Sequence, residues 1–397
     1  MRINQIIAVA GVSILLVLIL VLVFLSAPNQ SKYENHASGY SKYENSKYDN
    51  SQNSKYEDTE NSKYENSKYE TQPVEEKKWD RQEKPSSGGS EEMSCGLLKM
   101  YILNVSQADA IFIITPQNKT ILIDSGSSIK PHSSMNVVAF LKQLHISKID
   151  YLIASHYHED HIGGMKSIFE NFEVGTIYDN GNCGNYSSEA QRIFESYFSS
   201  HPHVVVSHDM EFNIDPCISA QLFAPYDRPE GCWPSNIVDA NENENSVVLH
   251  IVYGNTSFLF AGDCESGCEQ IIAQKPGIRS DFAKVDHHGS ATSSTPQFLT
   301  AVGARFYAVS TDKERSVIDG YYHPRKTALS NIYTEGARDV EHLFRTDLNG
   351  DITVISDGKQ ISITAQNIVD ECQLFSGYSI AKASSYGPIL ELAHVCG

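Results

Sequence analysis

The chain has 397 residues and a formal net charge of −18, from 31 basic and 49 acidic side chains. Only −3 of that charge falls in residues 1–94 (11 basic, 14 acidic), so residues 95–397 carry −15. So acidic a domain does not attract polyanions at long range, which excludes a nucleic-acid binder that works by bulk charge; a nucleic-acid substrate would need metal ions or a local basic patch.

Residues 6–25 form an uncharged run rich in Leu, Val and Ile. At 1.5 Å per residue such a helix spans roughly 30 Å, enough to cross a bilayer. Residues 1–26 therefore read as an N-terminal transmembrane anchor. The alternative is a signal peptide cut near Leu25-Ser26-Ala27, which would leave a secreted protein. Arg2 is the lone basic side chain before the run and Lys32 the next after it, which favours a cytoplasmic N-terminus and a single-pass protein with its catalytic domain extracytoplasmic. Eight cysteines (95, 183, 217, 232, 264, 268, 372 and 396) suit an oxidising compartment, and Asn104, Asn118, Asn185 and Asn255 open Asn-x-Ser/Thr sequons.

Residues 27–94 carry a Ser-Lys-Tyr-Glu/Asp-Asn pentad, with starts at Ser31, Ser41, Ser46, Ser54, Ser62 and Ser67. Its polar residues offer no apolar face to a core, so this stretch reads as a disordered repeat linker reaching about 45 Å as a flexible coil. A tract that presents regularly spaced tyrosines to the cell envelope is the alternative.

From Cys95 the texture changes. Apolar runs predict strands over 98–103, 110–115, 120–123, 149–154, 174–178, 247–253, 257–260 and 306–309. Helical spacing is read over 134–144, 164–172, 188–199, 265–273 and 325–335. A final strand pair, 351–356 and 360–364, is joined by the turn Asp357-Gly358. Residues 95–365 thus form one α/β domain of layered sheets with helices outside. Residues 366–397 form a C-terminal appendage that a Cys372–Cys396 bridge would staple.

The chemistry concentrates at strand ends. Ser155-His156-Tyr157-His158-Glu159-Asp160-His161 follows an apolar strand and precedes Gly163-Gly164. Strand neighbours alternate faces, so four ligand-type side chains this close need a loop that curls them around a metal. Imidazoles with a carboxylate suit zinc and similar ions. Phe258-Leu259-Phe260-Ala261-Gly262-Asp263 and Ala283-Lys284-Val285-Asp286-His287-His288-Gly289-Ser290 each stand at the end of a further apolar strand, and their meaning comes from joining the first cluster.

His156-x-His158-x-Asp160-His161, Gly262-Asp263 and His287-His288-Gly289-Ser290 resemble the metallo-β-lactamase superfamily, and more narrowly the hydrolase-like domain of the ComEC/Rec2 DNA-uptake proteins. Val105-Ser106-Gln107-Ala108-Asp109-Ala110, Leu122-Ile123-Asp124-Ser125-Gly126, Asn245-Ser246-Val247-Val248-Leu249, His323-Pro324, Arg345-Thr346-Asp347 and Gly350 match the same group. The resemblance covers about residues 97–365. It implies a four-layer αββα sandwich with two divalent metal ions, zinc or manganese, at one edge of the sheets. One metal would rest on His156 and His158, the other on Asp160, His161 and His288, with Asp263 between them. Asp160 would also orient the attacking water, and His287, Ser290 and His323 would contact substrate or support the ligands.

Two departures qualify the resemblance. Where many members place another histidine, this chain has Asn241-Glu242-Asn243-Glu244-Asn245, so the first metal needs Glu242, an Asn side chain or water. The multi-helix channel and basic DNA-binding module of the uptake proteins have no counterpart, so DNA uptake does not follow from the resemblance. The expected function is a metal-dependent phosphodiesterase or nuclease acting outside the membrane, with single-stranded DNA as the leading substrate. A lactone, amide or β-lactam hydrolase, and a non-catalytic surface binding protein with a structural metal, are the alternatives; protein partners stay open.

Overall fold

The computed structural model describes residues 95–130, 133–181, 188–225, 242–336, 343–367 and 369. The anchor, the repeat linker, the appendage apart from residues 366, 367 and 369, and four of the cysteines lie outside the described residues. No helix among those described is long and apolar enough to cross a membrane.

Among the described residues, fifteen strands build two sheets. The first contains β1 (Leu98–Ile102), β2 (Ile111–Ile114), β3 (Thr120–Ile123), β4 (Lys148–Ile153), β5 (Glu173–Asp179), β6 (His203–Val205), β14 (Ile352–Ser356) and β15 (Ile361–Ala365), in the order β15-β14-β1-β2-β3-β4-β5-β6. The second contains β7 (Met210–Glu211), β8 (Ser219–Phe223), β9 (Val248–Tyr253), β10 (Thr256–Phe260), β11 (Phe282–Lys284), β12 (Phe306–Val309) and β13 (Leu343–Arg345), in the order β13-β12-β11-β10-β9-β8-β7. In each sheet one part is antiparallel and the other parallel: β3 to β6 run together, as do β10 to β13.

Side-chain alternation makes the layers. Along β3, Ile121 and Ile123 enter the core shared by both sheets, while Leu122 points to an outer helical layer. Along β10, Phe258 and Phe260 enter the shared core and Leu259 faces the opposite helices. The outer layer of the first sheet packs Val137 and Leu141 of α1 (Ser133–Gln143), Met165 and Ile168 of α3 (Met165–Asn171), and Phe194 of α4 (Glu189–Glu195). A short α2 (Glu159–Ile162) lies between α1 and α3. On the second sheet, Ile272 of α5 (Ser266–Ile272) and Phe298 of α6 (Pro296–Val302) cover β10 to β12. Three apolar interfaces separate four layers, as expected.

The expected strands and helices recur within a residue or two, with instructive exceptions. The helix read over 188–199 ends at Glu195, and that over 325–335 becomes α8 (Lys326–Asn331) followed by a π-turn. β6, β7, β8 and β13 were not visible in the sequence pattern, nor was α7 (Lys313–Asp319), whereas β11 is the apolar strand expected before Asp286. β6, β7 and β13 are only two or three residues long, too short for a period to show. The Asp357-Gly358 turn is present, with Asp357 Oδ1 accepting from the amides of Lys359 and Gln360 at 2.8 and 2.9 Å.

Two disulfides occur among the described cysteines. Cys95 pairs with Cys217, pinning the start of the domain to the segment before β8, and Cys264 pairs with Cys268. Cys264 is therefore a bonded neighbour of Asp263 and not a free thiol ligand.

Candidate metal centre

The parallel strands of both sheets end at one edge, where loops can converge side chains from separate layers. β3 delivers Asp124, β4 the 155–161 loop, β10 Asp263, β11 the 286–289 turn and β12 Ser310. His156 Nε2 and His158 Nδ1 face each other at 2.9 Å. The His161 ring lies 4.1 Å from that of His156 and 5.4 Å from that of His288, centroid to centroid. Asp263 Oδ2 is 3.2 Å from His161 Nε2, 3.5 Å from His288 Nε2 and 3.8 Å from His287 Nε2. Asp160 Oδ2 is 3.6 Å from His288 Nε2. Ligand atoms of His156, His161 and Asp263 lie within 4.8 Å of one another, and so do those of Asp160, His161 and His288.

His156, His161 and His288 are each held by Nδ1. His161 Nδ1 donates to Asp124 Oδ2 at 2.8 Å. The Ser155 hydroxyl donates to the same carboxylate at 2.8 Å, and its oxygen lies 3.0 Å from His156 Nδ1. Asp124 thereby sets the tautomers of two histidines, directly and through Ser155. His288 Nδ1 donates to the Ser310 carbonyl at 2.9 Å. The opposite nitrogens, His161 Nε2 and His288 Nε2, are buried without a hydrogen-bond partner among the described residues, as is Asp263 Oδ1. Buried polar atoms are seldom left so. Imidazole lone pairs and a carboxylate turned inward around one point are a donor set that fits divalent metal.

The turn that presents His288 is strained. His287, His288 and Gly289 take φ of +47°, +53° and +78° in succession, a left-handed run that costs two histidines energy. It separates the two rings: His288 faces Asp160 and Asp263, while His287 Nδ1 lies 3.2 Å from Glu265 Oε1. A Cβ on Gly289 would meet Pro324 Cβ at 2.7 Å, so glycine lets the 323–325 loop pack against the turn.

A buried cation underlies the cluster. The fully buried Lys284 side chain pairs with Asp109, lies 3.6 Å from Asp263 Oδ1, and donates to the Gly262 carbonyl at 3.0 Å. Burial alone would lower its pKa, but Asp109 and Asp263 more than offset that and raise it, so it stays charged. Lys130 plays a similar part nearer the surface, 3.2 Å from Asp160 Oδ2. Burial would raise the Asp160 carboxyl, yet Lys130, His288 and His161 hold it well below the usual range.

Sequence reasoning quoted Asp109, Asp124 and Lys284 inside motifs without giving them roles, and passed over Lys130. A lysine in an otherwise apolar strand end was the available signal for Lys284, since an interior cation requires carboxylate partners. Glu242 accepts from the Tyr157 amide at 3.2 Å and from Asn180 Nδ2 at 2.8 Å, which commits one of its oxygens away from the first metal position. Asn245 is buried, and both of its side-chain polar atoms lack a hydrogen-bond partner among the described residues. His323 is buried with its ring 5.3 Å from that of His287, and burial, with His287, His288 and Arg325 nearby, pushes its pKa down to about 2. The Ser290 hydroxyl is engaged with Thr292 Oγ1 at 2.9 Å and is not hydrogen-bonded to the histidine cluster.

Comparison with known proteins bears on this arrangement. Residues 103–305 match the metallo-beta-lactamase superfamily. The chain is 25% identical over 273 residues to ComE operon protein 3 of Bacillus subtilis, covering 63% of this chain and 32% of that protein. It is 26% identical over 240 residues to competence protein ComA of Neisseria gonorrhoeae, covering 60% and 29%. The chain thus spans about a third of the length of these curated relatives. Among solved structures it is similar to Zn(2+)-bound PqqB from Methylobacterium extorquens, with a TM-score of 0.37 and 14% identity, covering 59% of this chain and 84% of that one.

Proposed function

Because the chain belongs to the metallo-β-lactamase superfamily, we propose that it is a metal-dependent phosphodiesterase, acting outside the membrane on single-stranded DNA or a similarly accessible phosphodiester. The observation that carries this reading is the convergence of ligand atoms of His156, Asp160, His161, Asp263 and His288, with His158 Nδ1 against His156 Nε2 and with His161 Nε2 and His288 Nε2 buried without a hydrogen-bond partner among the described residues. His156 and His158 would hold one divalent ion, Asp160, His161 and His288 a second, with Asp263 shared. When bound, such cations acidify water and offset negative charge on a reacting phosphoryl group.

The chain's own residues do the positioning. Asp124 and Ser155 fix the ring orientations, and Lys284 and Asp109 hold Asp263 from behind. Asp160 has the most exposed side chain of the ligand carboxylates, at 24% against 3% for Asp263, and so is placed to take a hydrogen bond from the attacking water. His323 stays neutral and adjoins His287, a pairing suited to hydrogen-bonding an uncharged or anionic substrate group.

An extracytoplasmic location is supported by the uncharged run at 6–25 and by the Cys95–Cys217 disulfide, which an oxidising compartment preserves. Protease added to intact cells would then release a fragment beginning within residues 31–94. Hydrolysis is tested by assaying the metal-loaded chain on single-stranded DNA and a simple phosphodiester. Cleavage that a chelator stops supports the reading; intact phosphodiesters alongside opened lactones or β-lactams would replace it with acyl hydrolysis.

A further inference from the structure

Beside the metal cluster, the loop after α7 presents two adjacent tyrosines, Tyr321 and Tyr322, which are 47% and 49% exposed. Their backbone is tightly held. Both amides donate to the Ser316 carbonyl, at 2.9 and 3.1 Å, and the His323 amide donates to Ser316 Oγ. Tyr322 sits at φ +60°, a conformation unfavourable for a bulky residue and sustained only where the surroundings impose it. The same loop is joined to the metal-bearing turn, since the Arg325 amide donates to the Gly289 carbonyl at 2.7 Å.

The side chains are arranged to match. The Tyr321 ring is stacked on that of His323, 5.9 Å apart and inclined by 14°, and His323 in turn adjoins His287. The Arg325 guanidinium lies over the Tyr322 ring, 5.4 Å from its centroid, and its Nε makes no hydrogen bond among the described residues. Nearby, Lys313 is half-buried, and burial together with the charges of Arg345 and Arg325 lowers its pKa. Arg345 is engaged with Asp347 through two contacts of 3.1 and 2.7 Å. His323 itself is buried with an unpartnered Nδ1.

Exposed aromatic faces with cations alongside are what an unpaired strand requires: a π-face for each base and positive charge for its phosphates. In a domain carrying −15, Arg325 and Lys313 bring positive charge next to the loop that contacts His287 and the Gly289 carbonyl, while Arg345 is already paired with Asp347. We propose that Tyr321, Tyr322, Arg325 and Lys313 form a nucleobase-and-phosphate subsite that seats one nucleic-acid strand next to the metal centre. This subsite deepens the phosphodiesterase reading and rests on it.

The test uses the full, zinc-loaded chain and a labelled phosphorothioate oligodeoxythymidylate, with an abasic strand of the same backbone for comparison. Tyr322→Ala should weaken binding of the base-bearing strand about tenfold, as loss of one stacked base does, and leave the abasic strand nearly unaffected. Tyr322→Phe should restore it. Arg325→Ala should reduce the slope of log affinity against log salt by about 0.7, the value for one phosphate contact on a single strand. Unchanged affinity and slope in these variants, or equal losses on both strands, would overturn the subsite. If the wild-type chain binds neither strand yet cleaves a small phosphodiester, the subsite falls alone; if it cleaves no phosphodiester at all, the underlying reading falls with it.

Discussion

Asp124 Oδ2 accepts from His161 Nδ1 at 2.8 Å, and the same oxygen takes the Ser155 hydroxyl that braces His156. One carboxylate outside the ligand set therefore orients an imidazole on each side of the proposed metal pair. Asp124→Asn should lower metal affinity about 10- to 100-fold, the usual cost of losing such a support, because an amide replaces one acceptor with a donor facing N–H and O–H. Competition against a zinc chelator measures this. Unaltered affinity would show that the histidines hold their orientation without Asp124.

The ligand assignment itself predicts metal stoichiometry. Up to two divalent ions should bind per chain, with the His156 and His158 position the weaker, since Glu242 is already engaged by Tyr157 and Asn180. Elemental analysis of purified His158→Ala should show loss of one ion. Asp263→Ala, which removes the shared carboxylate, should lose more. Wild-type metal content in both variants contradicts the assignment.

How much of this was readable beforehand follows from the physics of each piece. The histidine motif at 156–161 was legible because its ligands are close in sequence, and β3, β4 and β10 because their apolar runs are long enough to stand out. Asp124, Lys284 and Lys130 were not, since their roles depend on contacts between residues far apart in sequence: Lys284 with Asp109, Lys130 with Asp160. The apolar strand end around Lys284 hints at a buried cation, but no local pattern names the carboxylate that it meets. The preference for His288 over His287 came from resemblance, and the left-handed backbone at both positions accounts for why adjacent rings face different neighbours.

The Cys95–Cys217 disulfide closes a loop with a sequence separation of 122. A link across so long a loop restricts the unfolded chain strongly, and native disulfides of this kind contribute about 2–4 kcal/mol. Cys217→Ser should therefore lower the thermal midpoint by several degrees while the metal content stays as in the wild type. A variant that melts where the wild type does would mean that the unfolded state gains little freedom from the cut.

Behind the metal turn, Glu269 and Asp286 form a buried acidic pair. Burial pushes the Glu269 carboxyl up to about 7 from an ordinary 4.5, although the Thr295 and Ser294 amides partly counter it. The folded state then keeps a proton that the unfolded chain releases. Stability from this source is complete below about pH 4.5 and is lost as pH rises toward 7, by up to about 1.4 kcal/mol per unit. Urea unfolding at pH 5 and pH 8 should show a flatter pH dependence for Glu269→Gln than for the wild type. Identical slopes would mean that the pair is already compensated.

Substrate choice is the strictest test, because charge and chemistry pull in opposite directions. The −15 carried by residues 95–397 repels a polyanion at long range, yet salt screens that repulsion beyond roughly 10 Å at 0.1 M. Within that distance the metal ions, Lys313 and Arg325 supply the opposing charge, so strand binding should be weak and show little sequence preference. Asp160 has Oδ2 3.2 Å from Lys130 and 3.6 Å from His288, and its partial exposure lets it reach both water and substrate. Removing it takes away a ligand and the group placed to orient the nucleophile. With zinc or manganese added, the purified domain should degrade single-stranded DNA or a simple phosphodiester, and Asp160→Ala should cut that rate by at least about 100-fold. Both activities should stop when the metal is chelated. A fully metallated wild-type enzyme that leaves every phosphodiester intact would shift the assignment to acyl substrates, with Asp160 keeping the same place beside the attacking water.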